Sequence, residues 1–305
     1  MSHITILDGG MGKELKRIGA PFRQPEWSAL ALLEAPEYVA TAHRNFIEAG
    51  AQVIITNTYA LVPFHIGVER YETRGQELAR LAAEIARSAA DEPVDRRVLV
   101  AGSLPPLFGS YQPEKFEPAP APSMWRMLID PQAAFVDLWV GETMSSTEEA
   151  RVLLETVAVG GGGKPVWLAF TLADHASEGA ALLRSCEPVP AIAAVLAMAA
   201  GALVPVEAVL FNCSQPEVIT PALAELAPLV SPSIRLGAYA NAFPPEKIGA
   251  EAYAANEAII ERRADLTPDR YRDLARQWVA AGATIVGGCC DIYPAHIAAL
   301  ARTFA

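Results

Sequence analysis

Pro36-Glu-Tyr-Val-Ala-Thr-Ala-His-Arg-Asn-Phe-Ile-Glu-Ala-Gly50, followed directly by Ala51-Gln-Val-Ile-Ile-Thr56, decides the fold. A proline opens an amphipathic stretch, a glycine closes it, and an apolar β-branched run begins immediately afterwards. This is the order of helix, stop and strand. The same order returns near the end of the chain, where 268–281 precedes Gly282-Ala283 and the run 284–287. Working outward from these two copies, short β-rich runs stand at 4–7, 53–56, 98–101, 138–141, 166–171, 208–212, 235–240 and 284–287. Roughly 27 to 50 residues separate their starts, most of them helical in pattern. Ser145-Ser-Thr-Glu-Glu sets hydroxyls before acids at a helix start, and Gly160 to Gly163 gives that helix an exit before Pro165.

Strand and helix in alternation predict a parallel sheet. Eight units in 305 residues fit an α/β fold of the (β/α)8 barrel type better than a doubly wound sheet, which uses fewer strands and a phosphate loop at its first turn. The doubly wound sheet is the runner-up. We read 1–305 as a single domain, with long loops after the third strand (104–124, rich in proline and aromatics) and the seventh (241–267). In a barrel such loops lie on the catalytic face and cover substrate.

At 52% hydrophobic and 19% charged, the chain has the composition of a compact protein. A formal charge of −11 disfavours nucleic acid and anionic membranes and points to small-molecule substrates. No run approaches the ~20 apolar residues of a membrane span, and the N-terminus lacks a basic-then-apolar leader, so the expected location is cytoplasmic. Outer helices of a barrel are amphipathic whether they face solvent or a subunit, and no oligomeric state is predicted.

Four cysteines are too few for a disulfide scaffold, and two are adjacent. Cys213 ends the sixth run, in Leu-Phe-Asn-Cys, and Cys289 and Cys290 end the eighth, in Gly-Gly-Cys-Cys. Strand ends separated by one intervening strand lie about 10 Å apart, so these thiolates can converge on one tetrahedral ion with its fourth position open. Gly287 and Gly288 are expected to let the backbone turn tightly there. On spacing alone, a zinc site and a chance cluster of buried thiols both stand. Cys186 is at no strand end and is read as incidental or structural.

Asp8-Gly9-Gly10 follows the first strand and opens the first helix, where backbone N–H groups can take a carboxylate and the aspartate an ammonium group. The five histidines show no paired ligand spacing, and His296 is expected to cap or support the last helix. No strand end offers the lysine that a Schiff-base aldolase would need. A zinc-binding or redox-sensing protein is the non-enzymatic alternative.

Ile6-Leu-Asp-Gly-Gly-Met-Gly, Glu48-Ala-Gly-Ala-Gln-Val-Ile-Ile-Thr-Asn-Thr-Tyr, Asn212-Cys213 and Gly287-Gly-Cys-Cys, in this order, resemble the homocysteine S-methyltransferase family from about residue 4 to residue 300. The resemblance implies a barrel whose Cys213, Cys289 and Cys290 hold Zn2+, which binds the thiol of homocysteine as a thiolate for attack on a methyl donor. It also implies that Asp8 and Glu142 hold the amino group, and that Tyr59 stands beside the zinc. In one type of member this tyrosine fills the open position until homocysteine displaces it. Asn212 is a further candidate for substrate contact, with orienting the loop as its alternative, and Trp27 and Asn241 are candidates for substrate or donor contacts, with a structural role as theirs. Two stretches depart from the better-known members, Gly102-Ser-Leu-Pro-Pro-Leu-Phe-Gly-Ser-Tyr and Tyr239-Ala-Asn-Ala-Phe. S-methylmethionine is the first choice of donor and S-adenosylmethionine the second, with betaine-like compounds and other thiol acceptors open. One barrel has no room for a cobalamin or folate module.

Overall fold

The computed structural model describes residues 3–174, 180–201, 204–245 and 262–305. Its strands are β1 (Thr5–Ile6), β2 (Val53–Ile55), β3 (Leu99–Leu104), β4 (Leu138–Met144), β5 (Val166–Phe170), β6 (Val206–Asn212), β7 (Arg235–Tyr239) and β8 (Ala283–Val286). All pair in parallel in the order β1-β8-β7-β6-β5-β4-β3-β2. Leu7 bridges Val53, which brings the first strand back against the second and nearly closes the ring. The result is a (β/α)8 barrel, and the open doubly wound sheet is excluded. Each of the eight runs read from the sequence contains or overlaps one of these strands.

The helices are α1 (Met11–Arg17), α2 (Ser28–Glu34), α3 (Pro36–Glu48), α4 (Pro63–Ile66), α5 (Val68–Asp91), α6 (Ala121–Gln132), α7 (Thr147–Gly160), α8 (Ile192–Gly201), α9 (Pro216–Leu226), α10 (Pro268–Ala280) and α11 (Pro294–Phe304). Pro36 and Pro268 open their helices. Gly50 and Gly282, at φ +105° and +107°, provide the left-handed stops that free the chain to enter the next strand. The expected loop over 104–124 contains one 3-10 turn, Pro113–Lys115, and is tied down by Trp125 Nε1 donating to Pro105 O at 2.9 Å. Of the loop expected over 241–267, residues 246–261 lie outside the described residues.

Two apolar layers follow from the period of two in each strand. One parity, including Ile6, Ile54, Val100, Leu168, Val209 and Val286, packs outward against the helices. The other fills the barrel with Leu7, Val53, Ala101, Leu138, Val140, Trp167, Ala169, Ala208, Leu210, Tyr239 and Ile285. Continuing the inward parity past this layer turns it polar: Ala101 leads to Ser103, Val140 to Glu142 and Leu210 to Asn212. That switch places the site at the C-terminal ends of the strands.

Ser146 caps α7, its Oγ accepting from Glu149 N at 3.1 Å, and the Glu149 carboxylate returns to Ser145 N at 2.8 Å. Burial pushes the Glu149 carboxyl up to about 7, against the hydrogen bond from Ser145. An unfolded chain releases this proton near pH 4.3, so the native state binds more protons between about pH 4.3 and 7, and stability falls as pH rises through that window. Glu149→Gln is expected to remove a loss of roughly 3 kcal/mol between pH 5 and pH 8. Urea denaturation at both pH values checks it, and an unchanged pH dependence would show that Glu149 is not the group responsible.

Candidate active site

Cys213 leaves β6 at φ +48°, a left-handed conformation that only firm surroundings maintain in a non-glycine residue. The turn brings its sulfur to those of Cys289 and Cys290, which follow β8. All three sulfurs lie within 4.8 Å of one another. A tetrahedral ion with metal–sulfur bonds of about 2.3 Å needs sulfurs about 3.8 Å apart. Cys213 and Cys290 are separated by 3.8 Å, and Cys213 and Cys289 by 2.7 Å, longer than a disulfide bond and short of that edge. The set therefore fits a metal ion once Cys289 moves back by about 1 Å. Burial alone would push the Cys213 thiol up, but hydrogen bonds from Cys289, Cys290 and Tyr111 outweigh it and hold this thiol well below the ordinary range. Cys186 lies on an exposed turn and is not a member of the cluster.

Gly287 and Gly288 serve a purpose other than the expected tight turn, since neither has a positive φ. A Cβ on Gly287 would meet Leu7 Cβ at 2.3 Å, and one on Gly288 would meet Ile292 Cγ2 at 2.1 Å. They allow the segment that carries Cys289 and Cys290 to pack against Leu7, just after β1, and against Ile292 in the loop before α11. Gly10 has the same role from the other side, where a Cβ would stand 2.6 Å from Cys289 O.

The sulfurs stand at the wall of a cleft of about 840 Å3, its open mouth included, that also exposes Asp8, Gly9, Gly10, Trp27, Tyr59 and Glu142. Asp8 Oδ2 accepts from Ile55 N at 2.8 Å, and Glu142 Oε1 accepts from Ser103 Oγ at 2.6 Å. Burial raises both carboxyls, Asp8 well above its usual range and Glu142 to about 7. Two buried acids with no basic partner among the described residues form a natural seat for a cation. Tyr59 lies in the cleft with its hydroxyl 2.7 Å from Ser110 Oγ. The hydroxyl directed at the sulfurs belongs to Tyr111, which donates to Cys213 Sγ at 3.0 Å while the Arg184 guanidinium covers its ring at 4.9 Å.

Asn212 and Asn241 are not cleft-wall residues. Both polar ends of Asn212 go to Thr143, Oδ1 accepting from its N and Nδ2 donating to its Oγ1, each at 2.9 Å. Thr143 sits at φ +60° directly after Glu142, so Asn212 braces the strand end that presents this acid. Asn241 Oδ1 accepts from Phe243 N at 3.3 Å. His296 caps α11, its Nδ1 accepting from Tyr293 N at 3.1 Å.

Sequence reasoning passed over Lys13, Asn57, Tyr111 and Tyr239 as contributors to the cleft. Two of them carry a recognisable signal only in three dimensions. Asn57 Oδ1 and the Tyr239 hydroxyl are buried on the wall without a hydrogen-bond partner among the described residues, the condition of atoms that a ligand satisfies.

The homocysteine S-methyltransferase family model matches residues 5–304. The chain belongs to this family. Homocysteine S-methyltransferase of Escherichia coli K12 is 31% identical, across 97% of this chain and 94% of its own length. A selenocysteine Se-methyltransferase of Brassica oleracea is 25% identical, across 97% of this chain and 87% of its own length. The metallated form of the E. coli homocysteine methyltransferase MmuM superposes with a TM-score of 0.77 at 28% identity, covering 98% of this chain and 96% of that one.

For this family member, the hydrogen bond from Tyr111 predicts a measurable support of any metal ion held by the three sulfurs. Tyr111→Phe is expected to lower metal affinity about tenfold, the range seen when a group hydrogen-bonded to a metal ligand is removed. Competition with a chromophoric chelator checks it, and unchanged affinity would reduce the contact to packing.

Proposed function

We propose that the protein methylates the sulfur of L-homocysteine, with Zn2+ held by Cys213, Cys289 and Cys290 and S-methylmethionine as the donor. The observation that carries this reading is the joining of three convergent sulfurs to two buried acids, Asp8 and Glu142, in one cleft. Zinc bound there supplies the Lewis acidity that keeps a thiol deprotonated at neutral pH, where a free thiol is mostly protonated. Cys213, Cys289 and Cys290 would hold that ion at the wall of the cleft that the substrate's thiol enters. Asp8 and Glu142 take the ammonium group, with Asn57 Oδ1 as a neutral acceptor beside them. The rings of Trp27, Tyr59, Tyr111 and Tyr239 line the cleft and suit a sulfonium cation.

In the step itself the homocysteine sulfur forms a bond to the methyl carbon as the bond from that carbon to the sulfonium sulfur breaks. The electron pair stays on the departing thioether, and the thiol proton goes to solvent. Positive charge disappears along this path, so a water-poor, aligned cleft favours it. With S-methylmethionine both products are methionine. Among the described residues no helix is long and apolar enough to cross a membrane.

The test is turnover of homocysteine by zinc-replete protein with S-methylmethionine and S-adenosylmethionine offered separately. Two methionines per homocysteine consumed are expected with the first donor. One methionine with S-adenosylhomocysteine would replace the donor and keep the reaction. No methionine from either donor would overturn the reading.

A further inference from the structure

Homocysteine and the sulfonium donor both carry a carboxylate, yet the acids Asp8 and Glu142 and the three sulfurs line the cleft that would receive it. Among the described residues that line it, Lys13 is the only lysine or arginine. His65 supplies no charge at neutral pH, since burial holds its imidazole down at about 4. Of the backbone N–H groups at the start of α1, that of Gly10 is already engaged, donating to Ile292 O at 2.9 Å, and a helix of seven residues adds little field of its own. Lys13 is therefore the one fixed positive charge that a carboxylate can meet among the described residues lining this cleft.

Lys13 stands on the first turn of α1, and only 12% of its side chain is exposed. Its Nζ lies 3.3 Å from Oδ2 of the buried Asp291, the residue after Cys290. The other oxygen, Oδ1, accepts from the Tyr293 hydroxyl at 2.9 Å. One ion pair leaves an ammonium group with further N–H donors. Asp291 thus fixes the lysine head beside the metal-ligand segment without using up its capacity.

Resting on the reading above, we propose that Lys13 is the substrate-carboxylate anchor and makes the enzyme selective for amino acids with a free carboxylate. The carboxylate can belong to the acceptor or to the donor, and the two arms of the test separate them. Zinc-loaded wild type, Lys13→Met and Lys13→Arg are titrated calorimetrically with homocysteine and its carboxamide, and in parallel with S-methylmethionine and its carboxamide. Wild type is expected to prefer the free acid by on the order of 10- to 100-fold in one arm, the range of a hydrogen bond to a charged group. Lys13→Met should lose that preference while binding the carboxamide as before, and Lys13→Arg should retain most of it. The arm that responds names the substrate.

The proposal is overturned if wild type shows no preference in either arm, or if Lys13→Met keeps the wild-type ratios. A variant that loses acid and carboxamide equally gives Lys13 a scaffold role only and overturns it as well. These binding ratios are readable without turnover, so failure of methyl transfer and failure of the carboxylate anchor are separate results.

Discussion

Cys290→Ser protein is expected to lose its metal and its methyl transfer together. A serine hydroxyl remains protonated at neutral pH and is a poor substitute for a soft thiolate, so two sulfurs are left where three converged. Metal content should fall from about one ion per chain to below about a tenth. Loss of Lewis-acid activation is worth several kcal/mol, which corresponds to a fall in rate on the order of a thousandfold or more. Elemental analysis and methionine formation measured on the same preparations check both halves. Cys186→Ser, on its exposed turn, is the companion control and should change neither. Far-UV circular dichroism of Cys290→Ser separates an empty site from an unfolded barrel. Retained metal with retained activity would remove Cys290 from the ligand set.

Glu142→Gln should raise the KM for homocysteine about a hundredfold, because removing one partner of a buried charge pair costs about 2–5 kcal/mol. The carboxyl is raised to about 7 by burial, with Ser103 opposing and Cys213 reinforcing the shift. Only the ionised form pairs with an ammonium group, so homocysteine binding to wild type should weaken as pH falls from 8 through 7 to 6. The glutamine variant keeps the hydrogen-bonding geometry toward Ser103 and should lose this part of the pH dependence. Asp8→Asn is expected to act in the same direction and less strongly, since Oδ2 is already shared with Ile55 N. A Glu142→Gln enzyme with wild-type KM across this pH range would make Glu142 a structural acid hydrogen-bonded to Ser103.

Much of the molecule was legible in the chain alone. Pro36 to Gly50 and its copy at 268–282 announce the βα repeat, and the eight β-rich runs mark the barrel because strand and helix periods are local properties of sequence. Cys213 and the Cys289-Cys290 pair could be assigned to one rim because alternate strand ends in a parallel barrel are neighbours. The Asp8 and Glu142 positions followed from the same rule together with the resemblance to a known family.

Other parts were decided by neighbours distant in sequence. Asn212 precedes Cys213, where a substrate contact and a loop-orienting role both stood open, and both ends of its side chain bond Thr143 on a different strand. Tyr59 stands in the matching motif, but it is Tyr111, from the loop that departs from the familiar pattern, whose hydroxyl reaches Cys213. Gly287 and Gly288 look like turn residues and instead make room for Leu7 and Ile292. The sequence by itself determined the barrel and the end of it at which Cys213, Cys289 and Cys290 meet, because periodicity and strand order fix which residues share a rim. Only the tertiary structure decided which hydroxyl, amide and ammonium groups face the cleft, because a side chain's last few ångströms are set by contacts between strands and loops that no local pattern records.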